Sequence, residues 1–95
     1  MPNGEIQTPD EGKFIGKVTH YFGKIGVAVI ELTDTLQVGD KIRIIGGAET
    51  DFTQIVESME VEHQKVQTAK AGESIGLKVK EKVREGYKVY KVIEE

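Results

Sequence analysis

Ninety-five residues, 13 of them basic and 16 acidic, with a net charge of −3 and no cysteine, set the outer limits on this chain. Single domains cluster at roughly 100 to 150 residues, so one core is expected and a two-domain enzyme is excluded. The missing cysteines remove disulfide frameworks, thiolate zinc sites, iron–sulfur clusters and thiol nucleophiles, and they fit a reducing compartment.

The first dozen residues, MPNGEIQTPDEG, hold both prolines and only Ile6 as an apolar residue beyond Met1. Such a composition cannot bury a face, and a flexible leader over residues 1–12 is expected, followed by one domain over 13–95. From Lys13 to about Phe22, FIGKVTHYF is rich in β-branched and aromatic residues and reads as a strand. After Gly23, KIGVAVIEL reads as a second strand, and its unbroken apolar run implies two buried faces or a central position. TDTLQVGD then forms a polar stretch ending in a Gly39-Asp40 turn, with Leu36 and Val38 as anchors.

KIRIIG places Ile42 and Ile44 on one face and Lys41, Arg43 and Ile45 on the other. After a Gly46-Gly47 loop, FTQIVESMEVEHQ favours one long strand by its β-branched content, although its alternation does not identify an inward face and a helix stays open there. Ala71-Gly72-Glu73 is a turn, SIGLKVK points Ile75, Leu77 and Val79 inward and Lys78 and Lys80 outward, and YKVYKVI closes the chain. Six or seven short strands with glycine turns predict an all-β fold, a small closed antiparallel β-barrel.

Nucleophilic catalysis is hard to assemble from this inventory. Ser58 and Ser74 lie outside any Gly-x-Ser-x-Gly elbow, and His20 and His63 lack the spacing of a metal pair. Glu57, Glu60 and Glu62 read as an acidic rim, and Gly12-Lys13 and Gly23-Lys24 lack the phosphate-loop pattern. No catalytic residues, no cofactor, no metal and no nucleotide hydrolysis are therefore expected. No stretch approaches the roughly 20 apolar residues of a membrane span, and the amino terminus lacks a secretory pattern, which predicts a cytoplasmic protein without membrane partners.

Charge is unevenly distributed. Residues 1–62 carry 5 basic and 11 acidic side chains, whereas residues 63–91 carry 8 basic and 3 acidic. A lysine-rich strand face blunts edge pairing. The same lysines near Tyr21, Phe22, Tyr87 and Tyr90 also offer the charge and aromatic planes that single-stranded nucleic acid uses, with at least half of these rings expected in the core.

Five stretches taken in order resemble the second, β-barrel domain of translational GTPases of the elongation factor Tu type. They are Gly16-Lys17-Val18, Gly26-Val27-Ala28, Leu36 through Ile42, Val56 through Glu60, and Ala71 through Leu77. The chain also looks like small stand-alone elongation factor-like proteins, through THYFGKIGVAVIEL and VGDKIRI. Through its Val-Gly-Asp turn and Phe52 to Glu60, it is similar to the carboxy-terminal accessory domain of collagenase-like peptidases.

The first resemblance implies a barrel without its GTPase domain. It aligns Glu60 with a glutamate near the pocket for the aminoacylated end of tRNA, with His63 standing where an arginine would be and Glu62 replacing an aromatic residue. Two expectations follow for a non-catalytic binding module. One is association with RNA or a ribosomal or translation-related component through Lys78, Lys80, Lys82, Arg84, Lys88, Glu60 and His63. The other is a protein partner, the chain serving as an accessory module for a separate enzyme such as a collagenase-like peptidase.

Overall fold

The computed structural model describes residues 12–92, so the expected leader, apart from Gly12, lies outside the described residues. Ten strands follow one another among the described residues: β1 (Lys13–Phe22), β2 (Val27–Leu32), β3 (Leu36–Gln37), β4 (Lys41–Gly46), β5 (Thr50–Ile55), β6 (Met59–Val61), β7 (Gln64–Val66), β8 (Thr68–Ala69), β9 (Ser74–Lys78) and β10 (Lys88–Lys91). The all-β expectation holds, with no helix among the described residues. The number of strands exceeds the expected six or seven because β3, β6, β7 and β8 are only two or three residues long, too short for periodicity to register.

Eight strands form one sheet in the order β5-β4-β10-β1-β2-β9-β6-β7, and β3 pairs with β8 in a separate ladder. Every pairing is antiparallel. The expected closed barrel is corrected at this point: β5 and β7, the two ends of the ladder, are not paired with each other. Phe52 from β5 and Met59 from β6 nonetheless enter the same core as Ile30 and Ile75, so the sheet curls around one interior. At the seam the Gln54 side chain takes the part of a missing strand: its Nε2 donates to the Lys78 carbonyl at 2.9 Å, and its Oε1 accepts from the Lys80 amide at 3.0 Å.

The long strand expected over residues 52–64 is broken in two places, for separate reasons. Val56 is drawn inward, its amide bonding the Asp40 carbonyl at 2.8 Å and its carbonyl accepting from Gly39 at 2.8 Å. Phe52, Val56 and Met59 are the buried members, a spacing of four and then three that no continuous strand produces. Glu62 and His63 then reverse the chain in a two-residue hairpin loop, with φ of 52° and 69°.

Elsewhere the alternation is observed as expected. Ile42 and Ile44 are buried, as are Ile75, Leu77 and Val79, while Lys78 and Lys80 are exposed. Turn chemistry fixes the connections. Asp40 accepts from the Gln37 amide at 2.9 Å, and Glu73 accepts from the Lys70 amide at 2.8 Å, each side chain closing its own turn.

Candidate functional site

β2 lies between β1 and β9, and its residues take alternate sides. Ala28, Ile30 and Leu32 point into the core, while Val27 and Val29 stay half-buried on the outer surface. Register then arranges two outward rows: Phe22, Val27 and Lys78 in one, and His20, Val29, Gly76, Glu60 and Lys65 in the next. Because Gly76 has no side chain, the second row dips between Val29 and Glu60. The dip opens into a trough of about 660 Å³ whose floor is apolar.

Phe22 and Ile25 stand at one end of this trough, 47% and 61% exposed. The His20 ring meets Phe22 edge-on, with centroids 4.3 Å apart. Glu60, Glu62 and His63 line the opposite wall, carried by β6 and by the hairpin loop that follows it. Two further hollows mix charged and apolar side chains. One of about 630 Å³ lies at the seam beside Gln54 and Lys80, and one of about 560 Å³ lies between His20, Lys82, Arg84 and Glu85.

The cations anticipated as one RNA-binding surface are distributed among these places. Lys78 borders both the trough and the seam hollow, which it shares with Lys80, whereas Lys82 and Arg84 border the third hollow, where Glu85 approaches His20 at 3.6 Å. Lys88, on β10, is in register with Lys17, Glu31 and Ser74, which puts it three strand spacings, about 14 Å, from β9. Of the four rings, Tyr21, Tyr87 and Tyr90 are half-buried and only Phe22 is exposed. Tyr87 lies flat against Gly46, where any Cβ would collide with its ring. Tyr90 packs edge-on against Phe14, with centroids 5.7 Å apart. A continuous basic stripe with stacking platforms, the arrangement single-stranded nucleic acid requires, is not formed.

Two carboxylates away from the trough are held below the usual carboxylate range. A hydrogen bond from Lys13, with Nζ to Oδ2 at 2.6 Å, does this for Asp34, helped by the Thr35 amide. Arg43 does it for Asp51 through side-on contacts of 2.7 and 2.6 Å. Both are surface pairs that orient β1 and β4 against their neighbours and contribute little free energy. Among the described residues no three His, Asp or Glu side chains converge as a metal site would need.

The sequence reading singled out Glu60, His63 and Lys78, which do meet at the trough, but not Val27, Val29, Ile25 or Gly76, which form it. The signal was present in SIGLKVK, where glycine occupies an outward position of a strand that otherwise alternates cleanly.

No family model matches the chain. Over 76 residues it is 43% identical to an uncharacterized protease of Methanocaldococcus jannaschii, an alignment covering 80% of this chain and 19% of that protein. Over 79 residues it is 39% identical to a collagenase of Porphyromonas gingivalis, covering 82% of this chain and 22% of the collagenase. The chain therefore spans about a fifth of the length of the curated relatives it matches.

In three dimensions it superposes on the crystal structure of the C-terminal domain of a Geobacillus thermoleovorans protein described as a U32 peptidase. The TM-score is 0.78 at 24% identity, over 92% of this chain and 98% of that domain. The selenomethionine form of the same domain gives 0.78 at 22% identity, over 82% and 98%.

These relatives overturn the identification as an elongation factor-like, RNA-binding protein, since they are proteases and collagenases, and the scattered cations give the physical reason. The likeness that stands is the second one: the chain shares its fold with the C-terminal domain of a U32 peptidase, and its sequence with a minor part of two peptidase-type proteins.

Proposed function

We propose that this chain is a non-catalytic β-module that serves a separate peptidase-type catalytic unit through protein contacts. The observation carrying this reading is the 43% identity to a protease confined to 19% of that protein's length, which leaves the greater part of the relative outside the match. The inventory within the described residues supports it: Ser58, in a loop, and Ser74, on a strand, are exposed with no histidine bonded to them, and His20 faces Glu85 and Phe22 instead. The exposed apolar trough adds a surface suited to a partner.

The test is to mix the purified chain with the remaining portion of the M. jannaschii relative and follow the pair by sedimentation and by hydrolysis of denatured collagen. A one-to-one complex with altered turnover is expected, while the chain alone hydrolyses nothing. Absence of a complex at about 100 μM, an affinity too weak to matter for a dedicated module, would overturn the reading.

A further inference from the structure

Three features of the trough bear on what it can hold. Gly76 sits mid-strand at an outward position, its φ is not positive, and a Cβ added there would meet nothing nearer than Val27 Cγ1 at 3.7 Å, an ordinary contact. Neither packing nor backbone geometry asks for glycine, yet glycine weakens a strand, and its one evident effect is to leave the trough floor open at backbone level.

Phe22 and Ile25 continue the apolar floor of Val27 and Val29 out into solvent. Glu60 and Glu62 face this floor and form no ion pair among the described residues, with Lys65 lying on the side of Glu60 away from Gly76. Glu62 and His63 are held at the wall by positive φ at two non-glycine positions, strain of the kind that accumulates at binding sites.

We propose that the trough docks an extended protein segment that lays an aliphatic or aromatic side chain over Gly76 and sets a lysine or arginine beside Glu60 and Glu62. The 660 Å³ volume is in the range of ligand-binding hollows, roughly 300 to 1,000 Å³, and its open, elongated rows accept a strand-like chain rather than an enclosed small molecule. The unpaired carboxylates select the cationic residue, and the missing side chain at Gly76 admits the apolar one. The proposal deepens the accessory-module reading, on which it rests for the partner being a protein segment.

The experiment uses the ¹⁵N-labelled full chain and two acetylated, amidated pentapeptides, glycine-arginine-leucine-serine-glycine and its counterpart with glutamate for arginine. Peptide is added to roughly 5 mM, where a single anchor and one ion pair still register. Amide shifts should concentrate at Val27, Val29, Gly76 and Glu60. The arginine peptide should bind about five- to tenfold tighter, a difference that shrinks in about 0.5 M salt.

Gly76→Val should abolish these shifts with Tm unchanged or raised, and Gly76→Ala, with less bulk, should reduce them if the valine variant does not fold. Glu60→Lys with Glu62→Lys should reverse the preference. Shifts elsewhere, equal affinity for the two peptides, no binding of either, or undiminished binding by Gly76→Val would overturn the proposal. So would self-association through Phe22 and Val29, which would make a second copy the occupant. Because the peptidase is absent, failure here beside an intact one-to-one complex removes only the trough, whereas peptide binding without that complex removes only the accessory reading.

Discussion

Glu62 and His63 occupy the two central positions of a hairpin loop with φ of 52° and 69°. L-residues with a Cβ populate that region at a cost of about 1 to 2 kcal/mol each, and asparagine followed by glycine is the pair best suited to it. Replacing both, Glu62→Asn with His63→Gly, should raise stability by about 1 to 2 kcal/mol, read as a higher urea midpoint with unchanged slope. The same change removes one carboxylate from the trough wall, so stability and affinity for a cationic peptide should move in opposite directions. Nothing in the local pattern announces this turn, because glutamate and histidine carry no turn signature and the flanking alternation reads as uninterrupted strand. By contrast, Gly39-Asp40 and Ala71-Gly72-Glu73 were legible as turns, since in each an acidic side chain closes its own loop.

At the scale of elements, individual strands were easier to read than their partners. Ile75 and Leu77 on β9 declare their inward face by simple alternation, and Ile42 and Ile44 on β4 share one face by the same alternation, which the fold buries. β2, whose continuous run implies two buried faces or a central position, is a central strand. Its outer valines nevertheless remain half-buried at a trough, because no strand or loop covers them. What happens at the seam lay outside any local pattern: Gln54 bonds to backbone groups of Lys78 and Lys80, more than twenty residues away. Gln54→Ala should cost about 1 to 2 kcal/mol, at roughly 0.5 to 1.5 kcal/mol for each of two hydrogen bonds, and should speed hydrogen exchange at the Lys80 amide. Gln54→Glu keeps the acceptor and loses the donor, so an intermediate loss is expected in the same urea titration.

Over the whole molecule one apolar cluster unites residues from Ile15 to Val89, so the sheet, the small β3–β8 ladder and the segment after β9 stand or fall together. Ile30 is fully buried within that cluster. Ile30→Ala should remove about 2 to 5 kcal/mol, a large share of the roughly 5 to 15 kcal/mol typical of a small domain, and fluorescence and circular dichroism should report a single shared transition at a lower urea midpoint. Separate transitions for the two ends of the ladder would show that the seam divides the domain.

Composition, glycine spacing and period-2 alternation were enough to determine an all-β chain with one core and to identify most of its inward-facing residues, because burial on a sheet is written locally as every second side chain. Only the tertiary structure decided that the ladder stays open at β5 and β7, that the basic residues of the second half separate onto different surfaces, and that Gly76 lies between Val29 and Glu60 to form a trough. Each of these depends on which strands become neighbours and in what register, a choice made by packing the whole core at once rather than by any single segment.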